Sequence, residues 1–225
     1  PNHVGLYNVA LAEWSLQNGL ELDEHTFAAA AVNGRLDVGN LLLSRNCKWD
    51  EQTCANAAFY GHFDFLKWTY ANGCPFKNAN VCACAADGGH LNILKWARDV
   101  GCGWNVDTTS SAARGGHIDT LIWARENGCM WDYRTCCEAV ENNHIDVLAW
   151  AVMTGAPLNC EVFMCAARNG HLDTLKLLYS PKCPWNASVC TVAAQNGHLA
   201  CLQWLRANGC EWDSNTCAEA ALNGH

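Results

Sequence analysis

The sequence predicts an all-α fold, an α-solenoid of stacked helix-turn-helix repeats, and three observations predict it. A Gly-His pair or a near variant returns along the whole chain. Its register points are Asn8, Arg35, His62, His90, His117, His144, His171, His198 and His225, spaced by 27 residues except for the 28 between His62 and His90. Paired alanines recur in the same register, as Ala30-Ala31, Ala57-Ala58, Ala85-Ala86, Ala112-Ala113, Ala166-Ala167, Ala193-Ala194 and Ala220-Ala221. A glycine precedes nearly every register point and a second closes most units about eleven residues later. A repeat of about 27 residues is too small to bury a core alone and must stack on its neighbours.

Taken in order, the elements are a helix of the second type at 8–18, seven helical hairpins over about 23–208, and a helix of the first type at 214–223. Residues 1–225 thus read as a single array. The end helices lack hairpin partners, and Thr216-Cys217-Ala218-Glu219-Ala220-Ala221 keeps the interior pattern, which predicts a segment of a longer array.

Residues 51–73 serve as the type unit. Thr53-Cys54-Ala55-Asn56-Ala57-Ala58 predicts a first helix whose small side chains let neighbouring helices approach closely. It stops at Gly61, because a helix-terminating left-handed residue favours glycine and then asparagine. The equivalents are Gly34, Gly89, Gly116, Gly170, Gly197 and Gly224, with Asn143 as substitute. A second helix runs from about His62 to Asn72, with Phe63, Leu66 and Thr69 as its apolar positions and Trp68 and Phe65 beside them. Asp37, Asp64, Asp119, Asp146 and Asp173 in its first turn, and Arg98, Arg125 and Arg206 in its last, oppose the helix dipole. Gly73 closes it, as do Gly19, Gly101, Gly128, Gly155 and Gly209, while Asn46 replaces that glycine in one unit. Lys182 after Pro181 cannot, which predicts a distorted helix end there. The extra residue of the 28-residue unit falls in the loop Lys77-Asn78-Ala79-Asn80.

Eleven tryptophans form two columns. Trp14, Trp68, Trp96, Trp123, Trp150 and Trp204 lie on second helices, and Trp49, Trp104, Trp131, Trp185 and Trp212 lie in loops. A small residue usually follows the helical Trp whereas leucine follows Leu41 and Leu177, a volume trade that predicts burial of the helical column. Trp204-Leu205 breaks that pattern.

The chain is 50% apolar and 16% charged, with a net charge of −8 and no basic stripe, which argues against nucleic acid as a ligand. No uninterrupted apolar run of about 18 residues is present, so no membrane span is expected. Most of the sixteen cysteines are explained by the repeat: Cys47, Cys74, Cys102, Cys129, Cys183 and Cys210 fall in the loop, and Cys54, Cys82, Cys136, Cys190 and Cys217 in first helices. Such a ladder, with Ala156 in one loop position, reads as buried reduced thiols filling a core and not as a disulfide framework. This predicts an intracellular, cytoplasmic protein. The irregular Cys84, Cys137, Cys160, Cys165 and Cys201 read as packing residues.

Histidine with cysteine invites a metal site, but register histidines stacked about 10 Å apart cannot converge on one ion. Cys82-Ala83-Cys84 and Cys136-Cys137 have the wrong spacing for zinc. Neither a metal nor any cofactor is expected. An enzyme needs a nucleophile, base and stabiliser in one pocket, whereas Cys, His and Asp run here in parallel columns. No catalytic residue is assigned.

Asn169-Gly170-His171-Leu172-Asp173-Thr174-Leu175-Lys176-Leu177-Leu178 resembles the turn and second helix of the ankyrin repeat, and Cys190-Thr191-Val192-Ala193-Ala194 the end of its first helix. The likeness extends over essentially the whole chain. Ankyrin units are near 33 residues, however, and the Thr-Pro-Leu-His opening is not found here. The missing residues fall where the family's β-hairpin finger projects. The Trp- and Cys-rich form is similar to ankyrin-like arrays of large DNA viruses of protists and of some protist genomes. The resemblance implies a non-enzymatic scaffold that binds a protein partner on its concave face, in the host cytoplasm if viral. Such arrays are sometimes joined to an F-box that couples a target to ubiquitin ligation, although no F-box-like segment is visible here. A structural spacer or assembly component is the alternative.

For binding, the informative positions are those the period leaves free. Before the glycine stops stand Phe59 and Tyr60, Asp87, Arg114, Glu141, Arg168 and Gln195; at the starts of first helices stand Asp107 and Arg134. In ankyrin-like stacks such positions line the concave face. Phe59 and Tyr60 are the favoured anchor, because adjacent exposed aromatics commonly carry interfaces. Arg114, Arg134 and Arg168 are expected to offer charge to an acidic partner.

Overall fold

A computed structural model describes residues 9–19, 22, 24–76, 80–180 and 184–225, and every side chain among them except that of Glu24. The residues Lys77-Asn78-Ala79, Pro181-Lys182 and Cys183 lie outside this set, as do Asn8 and Asp23 at the starts of the first expected elements. The described residues form sixteen helices and no strand. In order they are α1 (Val9–Gln17), α2 (Glu24–Asn33), α3 (Leu36–Ser44), α4 (Glu51–Phe59), α5 (Phe63–Ala71), α6 (Asn80–Asp87), α7 (Leu91–Asp99) and α8 (Val106–Arg114). There follow α9 (Ile118–Glu126), α10 (Tyr133–Glu141), α11 (Ile145–Met153), α12 (Cys160–Arg168), α13 (Leu172–Leu178), α14 (Ala187–Gln195), α15 (Leu199–Ala207) and α16 (Ser214–Leu222). Even-numbered helices are of the first type and odd-numbered of the second. None is long and apolar enough to cross a membrane.

The chain divides into two compact units, Pro1–Thr108 with Asp119–Cys129, and Thr109–Ile118 with Met130–His225. In the first, α2 packs on α4 and α4 on α6, while α1, α3 and α5 form the parallel row of second helices. In the second, α10, α12, α14 and α16 stack in sequence, with α11, α13 and α15 as the outer row. The paired alanines lie in the first-helix stacks, where Ala57, Ala58, Ala166 and Ala167 are fully buried. A side-chain bond ties the stack as well, from Asn56 Nδ2 to the Ala28 carbonyl at 3.1 Å.

Each Gly-His pair closes a first helix and opens a second. Gly61 takes φ +78° and Asn143 φ 59°, the left-handed region the sequence pattern calls for. The His62 N–H then donates to the Ala57 carbonyl at 2.9 Å, and the His144 N–H to that of Ala139 at 2.8 Å. The register histidine occupies the N-cap of the second helix without capping it, because its imidazole turns to the preceding repeat. Its Nε2 bonds a main-chain carbonyl there: His62 to Val32 at 2.8 Å, His90 to Phe59 at 3.0 Å, His144 to Arg114 at 3.0 Å and His198 to Arg168 at 2.9 Å. At these four register points the inter-repeat tie gives the 27-residue period a physical role.

The buried stripe of α5 is Phe65, Leu66 and Thr69, which corrects the expected Phe63, Leu66 and Thr69. Residues 65, 66 and 69 face the first helices. Phe63 lies on the flank, half-buried, 5.6 Å from the Trp96 ring and beneath the Lys67 ammonium. The helical tryptophans also depart from expectation, being half-buried, with Trp14 61% exposed. Most of the others share one face with the loop indole of their own hairpin instead of entering the core. Trp49 meets Trp68 at 5.9 Å, Trp104 meets Trp123 at 5.8 Å, Trp131 meets Trp150 at 5.9 Å and Trp185 meets Trp204 at 6.0 Å, all edge to face. Eight of the eleven tryptophans thus stand in four pairs, two in each unit, each pair contributing about 0.5–1.5 kcal/mol beyond its buried area. Arg98 and Arg206 add guanidinium contacts over Trp104 and Trp212, and both donate to the following loop carbonyl, Cys102 and Cys210 respectively.

Helix α13 is two residues shorter than the nine of α11 and α15, and its C-terminal flank, Tyr179, is already extended at φ −63° and ψ 130°. This is the distortion expected from the missing glycine, seen on the described side of that loop.

Candidate protein-binding face

The candidate residues sit at the two ends of the first helices. Asp or Asn caps the helix starts: Asp50 accepts from the Thr53 N–H, Asp132 from Arg134, Asn159 from Glu161 and Asn186 from Ser188, all at 3.0–3.1 Å. Each such cap contributes about 1 kcal/mol. Three of these caps, Asp50, Asp132 and Asn186, were visible as the Asp or Asn that follows the loop tryptophan, whereas Asn159 follows Leu158.

At the C-terminal ends the stack uses the main-chain carbonyl of the residue two before the left-handed stop. Any residue supplies a carbonyl, so side-chain identity there is unconstrained by packing. Phe59, Arg114 and Arg168 each give their carbonyl to the histidine of the next repeat while their side chains stay exposed. This explains why the column changes chemistry from unit to unit.

In the first unit, Phe59 is 38% and Tyr60 49% exposed, and their rings meet edge to face at 5.0 Å. Tyr60 also lies nearly parallel to the His62 ring at 6.5 Å. Gly88 lets the Phe59 carbonyl oxygen and the His90 ring approach, since a Cβ there would collide with both. Asp87 is half-buried, and Asp107, exposed at the start of α8, accepts from Asn105 Nδ2 at 3.0 Å.

In the second unit, Arg114, Arg134, Glu141, Arg168 and Gln195 are all exposed. Arg134 and Arg168 stand beside carboxylates. Arg134 Nε lies 3.0 Å from Asp132, and Arg168 Nη1 lies 3.6 Å from Glu141, which also accepts from the Cys165 thiol at 3.2 Å. These pairs are solvated and weak, so each arginine can exchange its partner for an incoming carboxylate at little cost. The aromatic pair and the charged column belong to different units, and each is a separate candidate surface. Among the described residues, no group of three or more His, Cys, Asp or Glu could hold a metal ion.

The family described as "Ankyrin repeats (3 copies)" matches residues 136–216. Many solved structures match the chain. One of them is the crystal structure of the human ASB11 ankyrin repeat domain, at 17% sequence identity and a TM-score of 0.53, covering 67% of this chain and 80% of that one. No curated protein sequence matches. The likeness establishes the fold, an ankyrin-type solenoid, and ankyrin repeats generally mediate protein–protein interaction.

Proposed function

We propose that the chain is a shortened ankyrin scaffold that binds a protein partner through the exposed ends of its first helices, the concave side in such stacks. The observation that carries this reading is Phe59 with Tyr60. Two adjacent aromatics stand exposed at a position where the stack consumes only main-chain carbonyls, and aromatic anchors dominate binding at interfaces. No hairpin finger projects among the described residues, so the first helices and the short loops are left to make contact. The absence of a converging catalytic constellation in the repeat pattern favours a scaffold over an enzyme. The Trp- and Cys-rich period favours the viral and protist form of the repeat, and the reduced thiols an intracellular setting.

The test is affinity capture and direct titration with full-length chain, wild type against a Phe59→Ala, Tyr60→Ala double variant. The same captured protein should bind the variant more weakly by about 1–4 kcal/mol in total, with helicity unchanged. A partner held equally well by both chains removes the aromatic pair from the interface, and a partner that contacts only second helices removes the face. A chain that captures nothing specific supports the spacer reading, in which the repeats supply reach. Capture of ubiquitin-ligase components would instead place the array in the F-box type of adaptor.

A further inference from the structure

The loop thiols close their own hairpins. Cys74 Sγ donates to the Asp50 carbonyl at 3.8 Å, Cys102 to Phe76 at 3.6 Å, Cys129 to Asn105 at 3.2 Å and Cys210 to Asn186 at 3.3 Å. In three hairpins a second cysteine stands 20 residues earlier, in the first helix. Cys54 Sγ lies 3.0 Å from Cys74 Sγ, Cys190 Sγ points at the Cys210 carbonyl oxygen at 4.0 Å, and Cys82 and Cys102 hold the same two register positions. Cys54, Cys82, Cys190, Cys102 and Cys210 are at most 1% exposed and Cys74 5%. Elsewhere in the array the 20-residue spacing is broken, since Phe27 and Thr109 stand 20 residues before Cys47 and Cys129 and Ala156 stands 20 after Cys136. The Cys165 pKa is raised by a different neighbour, the Cys137 thiol of the preceding first helix.

We propose that the pairs Cys54–Cys74, Cys82–Cys102 and Cys190–Cys210 are oxidation sites, each converted by a small peroxide into a disulfide that ties the first helix to the loop closing its hairpin. The sulfurs of the first pair need approach by only about 1 Å to reach bonding distance. One thiolate of a pair attacks the O–O bond of hydrogen peroxide, giving a sulfenic acid and hydroxide, which takes up the proton that thiol released. The second thiol then attacks the sulfenic sulfur, and its proton leaves with the oxygen as water. Two thiols and one peroxide thus yield one disulfide and two waters, with sulfur oxidised and the peroxide oxygens reduced. Burial excludes bulky disulfide oxidants and favours a reagent close to water in size. The partner's hydrogen bond, together with burial, holds Cys74, Cys82 and Cys210 well above the usual thiol range. The same hydrogen bond lowers the accepting thiol of each pair, Cys54, Cys102 and Cys190, so that sulfur attacks the peroxide and its neighbour captures the sulfenic acid before a second peroxide does. Each bond closes a short loop inside one repeat, which restricts the unfolded chain and stiffens the hairpin.

The experiment treats the reduced full chain, carrying Cys217→Ser to remove an exposed thiol, with hydrogen peroxide and maps the products by mass spectrometry without reduction. The expected result is linked peptides for the three pairs, each losing two hydrogens, while Cys129 and Cys136 stay as thiols. The urea midpoint should rise and return to its starting value with dithiothreitol. A Cys74→Ala variant, which reproduces the natural Ala156 position and so keeps the fold, should lose the first link alone and let Cys54 proceed to sulfinic acid. The proposal is overturned if the paired cysteines oxidise no faster than Cys129 and Cys136, or if they yield sulfinic acids or scrambled links while helicity is retained.

Discussion

Two junctions in the second unit differ by one residue, and the difference shows what the Gly-His pair does. At the first, Gly170 holds φ +70° and the His198 ring lies against it, with Nε2 bonded to the Arg168 carbonyl at 2.9 Å. A Cβ built on Gly170 would stand 2.6 Å from His198 Nδ1. At the second junction the stop is Asn143, at φ 59°, so the backbone turns as before. By register His171 belongs against Asn143, yet among the described residues His171 makes no such carbonyl bond and its buried Nδ1 is without a partner. Asparagine satisfies the dihedral but keeps a Cβ where the imidazole has to lie. Glycine serves two purposes at these stops, a left-handed turn and room for the ring of the next repeat, and asparagine serves only one.

The largest effect should come from removing both purposes at once. Gly170→Ala places a Cβ in the left-handed region, costing about 1–2 kcal/mol. It also pushes His198 off its carbonyl, for about 1 kcal/mol more. We expect the unfolding free energy from urea titration to fall by about 2–3 kcal/mol, with the helical signal unchanged in native buffer. A loss as small as that of an exposed surface substitution would show that the ring is free to move aside.

The converse substitution is smaller and has the opposite sign. Asn143→Gly should let His171 close on the Glu141 carbonyl and relieve the residual cost of a non-glycine stop. The expected gain is about 1 kcal/mol. A chemical-shift change at His171 should accompany it. If stability drops instead, as the added freedom of the unfolded chain alone would make it do, the ring gains nothing from the space.

These junctions also mark what the sequence made legible. The period, the small residues of the first helices, both left-handed asparagines and the weak end of α13 follow from residue type at a register position, because backbone geometry is local. What the histidines, tryptophans and cysteines touch was not legible, because a column read along the chain says nothing about which column it meets in space. Burial of the helical tryptophans was expected from a volume trade with the next residue. Their actual partners, the loop indoles, stand nineteen residues earlier, as Trp49 does from Trp68. The constant 20-residue spacing of Cys54 from Cys74 carried the same kind of signal. At the candidate face, exposure of Phe59 and Tyr60 was readable, whereas the pairing of Arg168 with Glu141 in the preceding repeat needed the stack itself.

The smallest expected effect concerns the register point where histidine is replaced by arginine. Arg35 follows Gly34 but forms a bidentate pair with Asp37 in the first turn of α3, with Nε at 3.0 Å from Oδ1 and Nη2 at 2.6 Å from Oδ2. The Arg35 hydrogen bond, aided by the Val38 N–H, holds the Asp37 carboxyl down at about 2. A depressed carboxylate contributes stability that is present above its unfolded value, near 3.9, and is lost as the pH falls through about 2. The pair is solvated, so this contribution is too small to register in a urea titration. It should register by NMR: in an Arg35→Ala variant the Asp37 carboxyl should titrate nearer the ordinary carboxylate range. An unshifted Asp37 in that variant would mean that the N-terminus of α3, and not Arg35, holds the charge.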